Sequence, residues 1–264
     1  MSGFQAGLPG ASEELIAAFR RLLVSLADSK RVLGIRYSDW LLGAPSLEAG
    51  IAASSMAQDE WGHARLLYAT LKDFGVDPAT LEHDRSAAEY ASVEALDAPF
   101  EDWAAFIAGV VVVDGALTVA LEGLLEGGYE SVDGRIGKML GEEEFHHSLG
   151  DAWFRRLAGG SPEAQERLRT AVRAMAPPAI RAVAPGDEAH RTLSDSGLTL
   201  PAEQLRKRIR DRLEPLCRLL EMEVPEATAA TGDWDSTRGR GAGAPAEDVV
   251  ERARGDRNRA LFVE

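Results

Sequence analysis

Cysteine is almost absent. Cys217 is the only one in 264 residues, which excludes an intramolecular disulfide and any metal site built from thiolates. Long apolar runs are missing as well: no stretch of about eighteen uninterrupted apolar residues occurs, and the first residues lack a basic segment followed by an apolar signal core. A cytoplasmic location with no membrane insertion is therefore expected. The most apolar stretch, Phe106 to Leu125, carries Asp114, Glu122 and three glycines, the pattern of a buried bundle helix. Positive charge is scarce, with 29 basic against 43 acidic residues and a formal charge of -14, so no nucleic-acid partner is expected. The one basic cluster, Arg206-Lys207-Arg208, reads as a solvated helix face. There is no solenoid-type repeat and no glycine-rich phosphate loop.

What the chain does contain is helical periodicity. After a glycine-rich leader, expected to be flexible over 1–12, Ser12 with Glu13 and Glu14 marks a helix start. Phe19, Leu22, Leu26, Leu33, Tyr37 and Trp40 recur at three- and four-residue steps, predicting one helix to about Trp40. Gly43-Ala44-Pro45-Ser46 is a turn, and Ala53, Met56, Glu60, His63, Leu67, Leu71 and Phe74 form the stripe of a second helix closed by Gly75. A long aperiodic connection over 76–99 leads to a third helix, from about Phe100 to Glu126, and Gly127-Gly128 separates it from a fourth over about 131–157. A fifth helix is expected to end before Pro177-Pro178, followed by irregular chain over 179–201. A sixth should run from about Ala202 to Glu221 with a kink or displacement near Pro215. The expected organisation is all-α: a four-helix bundle with additional C-terminal helices over 13–222, then an extension over 223–264 that is largely loop with a short helix near 246–260.

Polar residues interrupt four of these stripes. Glu60 and His63, three apart, share one face of helix two, and Glu143 and His146 repeat the arrangement on helix four. The alternative register of helix four, Glu144 with His147, would bring Asp151 inward, whereas Ile136, Met139, Leu140, Gly150 and Trp153 lie in line with Glu143 and His146. Asp114 falls on the stripe of helix three and Lys30 on that of helix one. Di-metal carboxylate bundles ask for a Glu-x-x-His on each of two helices and one carboxylate from each of the other two. Asp114 precedes Glu143 by 29 residues and Lys30 precedes Glu60 by 30, so the lysine stands where the repeat calls for the sixth ligand. The competing view is a buried polar network that only fixes helix register.

The stretches Ala44-Pro45-Ser46-Leu47, Gln58-Asp59-Glu60-Trp61-Gly62-His63, Val113-Asp114-Gly115-Ala116 and Glu142-Glu143-Glu144-Phe145-His146 resemble, in order, the catalytic subunit of bacterial phenylacetyl-CoA epoxidases. The segment Val32 to Trp40 is more similar to the non-catalytic partner subunit. The resemblance implies a ferritin-like fold and a di-iron centre with Glu60, His63, Asp114, Glu143 and His146 as metal ligands. It also implies a multicomponent monooxygenase that uses O2 and reductant-derived electrons to epoxidise the ring of an acyl-CoA substrate. A related ferritin-like subunit and a reductase are the implied partners. Lys30, at the anomalous position, opens a further reading, a metal-poor scaffold subunit of the same complex in which the lysine replaces a metal's charge; a second alternative is another ferritin-like iron-binding protein. Asp28 and Asp39 are poor substitutes for the missing ligand. The first lies about 200° around the helix and the second about 13 Å along it.

Overall fold

Ser12 begins the first helix as expected: its hydroxyl accepts the Leu15 N–H at 3.2 Å, and α1 runs Glu13–Ser38. The computed structural model describes residues 7–227, 233–259 and 261, so positions 1–6 of the expected leader, 228–232 of the expected loop and residue 260 of the expected terminal helix lie outside the described residues. Ser46 caps α2, Leu47–Thr70, which tightens into a 3-10 turn over Leu71–Phe74 and is closed by Gly75 at φ 72°. The long connection contains a short α-helix, α3, Pro78–His83, and two 3-10 turns, Ala87–Glu89 and Glu94–Leu96. Asp102 then caps α4, Trp103–Glu126, and α5 covers Glu130–Ala158. These two helical pairs form a ferritin-like bundle, and the described residues include no strand, only an isolated bridge between Asp235 and Arg240. Among the described residues α4 is the one helix long and apolar enough to cross a membrane, and it is almost wholly buried inside the protein.

One feature of α4 escapes periodicity. Residues Gly109–Asp114 are π-helical, a wider turn that shifts the phase of everything after it and ends on Asp114. Close neighbours accompany it: a Cβ on Gly109 would lie 2.3 Å from the Phe100 ring, and one on Gly150 of α5 would lie 2.8 Å from Val110.

The C-terminal half departs from expectation in two places. The fifth long segment does not stop before Pro177-Pro178; α6, Pro162–Val183, passes through both. Each proline removes an N–H directed four residues back, freeing the carbonyls of Arg173 and Ala174, and both of those residues are exposed, where water takes the place of the lost donor. The stretch expected to be irregular contains the rest of α6 and then α7, Glu188–Asp195, whose eight residues are too few to show a convincing period. Then come α8, Ala202–Leu219, with Pro215 inside it, and the short α9, Glu247–Arg254, and α10, Asp256–Arg259.

This arrangement makes α1 a central helix. From Leu26 to Tyr37 every residue is buried, because α2, α7 and α9 all pack on it alongside the bundle. Its charged residues are satisfied accordingly. Asp28 accepts two bonds from Arg85, at 2.9 and 2.5 Å, one from the Ala91 N–H at 2.8 Å and one from the Tyr68 hydroxyl. Arg36 donates to the carbonyls of Leu96 and Asp97 at 2.8 and 2.7 Å.

Candidate metal centre

The bundle brings Lys30 from α1, Glu60 and His63 from α2, Asp114 from α4 and Glu143 and His146 from α5 to one buried point, none more than 3% exposed. On α5 the buried register is Glu143 with His146, while Glu144 and His147 face solvent. Glu60, Asp114, Glu143 and His146 each present a ligand-type atom within 4.8 Å of the others, a grouping that by spacing alone could hold a metal ion. His63 stands at the edge of this group, its Nδ1 3.2 Å from Glu143 Oε1 and 4.0 Å from Glu60 Oε1 without making a hydrogen bond.

The two histidines are held in a crossed pattern. His63 Nε2, on α2, pairs with Glu142 of α5 at 2.9 Å, and His146 Nε2, on α5, lies 3.4 Å from Asp59 of α2. Each outer carboxylate comes from the residue directly before the opposite helix's inner glutamate, and each turns an Nδ1 toward the centre. This is how a carboxylate outside the ligand set fixes a metal-binding imidazole. Two hydroxyls complete the lining: Tyr37 donates to Asp114 Oδ2 at 3.0 Å and Thr118 to Glu143 Oε2 at 3.0 Å. Asp59, Glu142, Tyr37 and Thr118 were not among the expected site residues. The acid preceding each Glu-x-x-His is visible in the sequence, but its reach to the other helix depends on an antiparallel alignment that no single-helix pattern contains.

At the middle of the cluster is Lys30. Its ammonium donates to Asp114 Oδ1 at 2.5 Å, Glu60 Oε1 at 3.0 Å and Glu143 Oε1, so all three donors are used. Burial alone would lower its pKa, but Asp114, Glu143 and Glu60 together outweigh that and hold it well above the usual lysine value. Burial raises the Asp114 carboxyl, yet Lys30 and His146 reverse the shift and leave it far below the carboxylate range. Glu60, pushed up by burial and by Asp114, moves to about 7 despite Lys30. His146, against the effect of burial, is raised by bonding to Asp114 and Glu60 to about 11, and His63 is raised by its acidic neighbours. Asp28 and Asp39 take no part: the first is bound by Arg85 and the second pairs with Arg252 at 2.6 Å.

A family model described as phenylacetic acid catabolic protein matches residues 10–252, nearly the whole chain and every residue of this centre. The chain belongs to the phenylacetic acid catabolic protein family. Among individually curated proteins none matches it. Membership assigns the chain to phenylacetate catabolism, a multicomponent pathway in which partner subunits are expected. The donor set is of the kind a metal in such a bundle uses, and Glu60 Oε2 and His63 Nδ1, buried with no hydrogen-bond partner, are donors of that set left idle. The charge is not of that kind. A di-metal pair would place two divalent ions where an ammonium already binds one oxygen of each carboxylate, and like charges at that separation repel strongly in a dry core. With Lys30 in place, the residues do not fit a di-metal pair, because the ammonium already holds the three carboxylates that the ions would share.

Proposed function

We propose that this chain is a subunit of the multicomponent monooxygenase of aerobic phenylacetate degradation, which epoxidises the aromatic ring of phenylacetyl-CoA with O2. Within that assembly we assign it the supporting place beside a catalytic relative. The observation that carries this assignment is the Lys30 ammonium bound to Glu60, Asp114 and Glu143. A centre neutralised from within fixes four helices without oxygen chemistry of its own. The exposed Leu41, Leu42, Leu47 and Ile51, gathered around the α1–α2 turn and the start of α2, offer an apolar patch for a related subunit. The second reading, a catalytic di-iron subunit, draws on the four-residue grouping and the crossed histidines.

Reconstitution separates them. The chain is combined with a catalytic relative and a reductase, and O2 consumption dependent on phenylacetyl-CoA is followed. The supporting role requires no turnover from the chain with reductase alone, and loss of turnover from the full mixture when the chain is omitted or carries Leu42→Asp with Ile51→Glu. Turnover by the chain and reductase alone would establish the catalytic reading. An undiminished rate without the chain would remove it from the complex.

A further inference from the structure

We infer that this centre is a metal site closed by one side chain: Lys30 is its resident cation, and position 30 alone decides whether the cluster takes up a divalent metal. The inference stands whether or not the chain joins an oxygenase complex.

Three features support it. First, the ammonium is bound to the three carboxylates that a metal would share, one oxygen from each. Second, the rest of the metal-type arrangement has not decayed around the lysine. Both imidazoles still turn Nδ1 inward, and both are still anchored from outside, by Glu142 and by Asp59, although a register-fixing knot centred on Lys30 needs neither anchor. Third, the centre retains an idle polar atom, Glu60 Oε2, at a depth where unpaired polar groups are rare, and His63 Nδ1, 3.2 Å from Glu143 Oε1, makes no aligned hydrogen bond there. A network built only for Lys30 gives no reason for them. A ligand set whose divalent metal has been replaced by a singly charged, three-donor ammonium does.

Two changes at position 30 follow different routes to an open site. Lys30→Met keeps an unbranched stem as far as Cε but removes the Nζ ammonium, so three buried carboxylates lose the donor they share. Lys30→Glu places a carboxylate at the position where the helical repeat calls for one. In neither case are the histidines or their anchors touched.

The test uses the full chain, purified without metal and then exposed anaerobically to Fe(II) or Mn(II), with bound metal measured after desalting and melting temperature recorded with and without the ion. Wild type is expected to retain no stoichiometric metal and to melt at the same temperature in either case. Lys30→Glu is expected to retain up to about two ions per chain. Lys30→Met is expected to melt lower than wild type and to regain at least part of the loss when Mn(II) is added, because an ion that binds only the folded state stabilises it. Stoichiometric metal in wild type, with Lys30 present, would overturn the inference. So would folded variants at position 30 that take up no metal and show no metal-dependent rise in melting temperature. Where Lys30→Glu does not fold, Lys30→Gln replaces it, and the wild-type measurement still decides whether Lys30 holds the site. Loss of complex assembly in the reconstitution above leaves these readings unchanged, so the two failures are distinguishable.

Discussion

Asp28 and Lys30 lie two residues apart on α1, both fully buried, and each is balanced by partners that the other does not use. Asp28 is held by Arg85, Tyr68 and a backbone N–H on the side of the long connection, and Lys30 by three acids on the side of the bundle. Replacing Asp28 with alanine leaves the Arg85 guanidinium buried and uncompensated. The expected cost is about 3–5 kcal/mol, read from urea unfolding of Asp28→Ala against wild type. Asp187 gives a milder case with a definite pH signature. It accepts two bonds from Arg21, at 2.6 and 2.9 Å, one from the His190 N–H and one from Trp234, and these outweigh burial and lower its pKa. A depressed carboxylate stabilises the fold above its unfolded value, near 3.9, and loses that contribution as the pH falls through the folded value. The gap in melting temperature between wild type and Asp187→Asn should therefore be widest near neutrality and close in acid.

At the scale of elements, the two glycines most informative on α5 have opposite surroundings. Gly150 faces Val110 and Val111 of the π segment, with no room for a methyl group, while a Cβ on the exposed Gly137 would meet nothing within 4 Å. Gly150→Ala should destabilise by about 1–3 kcal/mol through overpacking. Gly137→Ala should stabilise by about 0.5–1 kcal/mol through backbone entropy. Paired denaturant curves test both signs. The contrast also marks how far sequence carries. Stripes of apolar residues located the four bundle helices to within a few positions, and they selected Glu143 with His146 over Glu144 with His147, because each of those judgements needs only one helix's own period. The π turn before Asp114 conserves composition and alters only phase, so periodicity passes over it. The continuation of α6 through Pro177 and Pro178 depends on which side of the helix meets water, a tertiary fact. The anchors Asp59 and Glu142 likewise belong to a relation between two helices.

For the molecule as a whole, a formal charge of -14 implies self-repulsion that dissolved ions reduce. Melting temperature should rise as salt increases from about 10 mM to 0.15 M, over which the Debye length shrinks from about 30 to 8 Å, and scanning calorimetry at constant pH measures it. The buried ion pairs of α1 should be little affected, so the gain reports the surface. The all-round burial of α1 has one more consequence, for the order in which the protein is made. Arg31 donates to the carbonyl of Ala253, and Arg252 and Arg254 of α9 reach Asp39 and the Arg85 carbonyl. At roughly 5–20 residues per second, a ribosome needs on the order of 10–40 s between finishing α1 and supplying α9. Of the long helices among the described residues, the one made before the others is thus among the last to be enclosed. Its charges, Asp28, Lys30, Arg31 and Arg36, which are burdens to bury at the end, keep the nascent segment wetted during that wait.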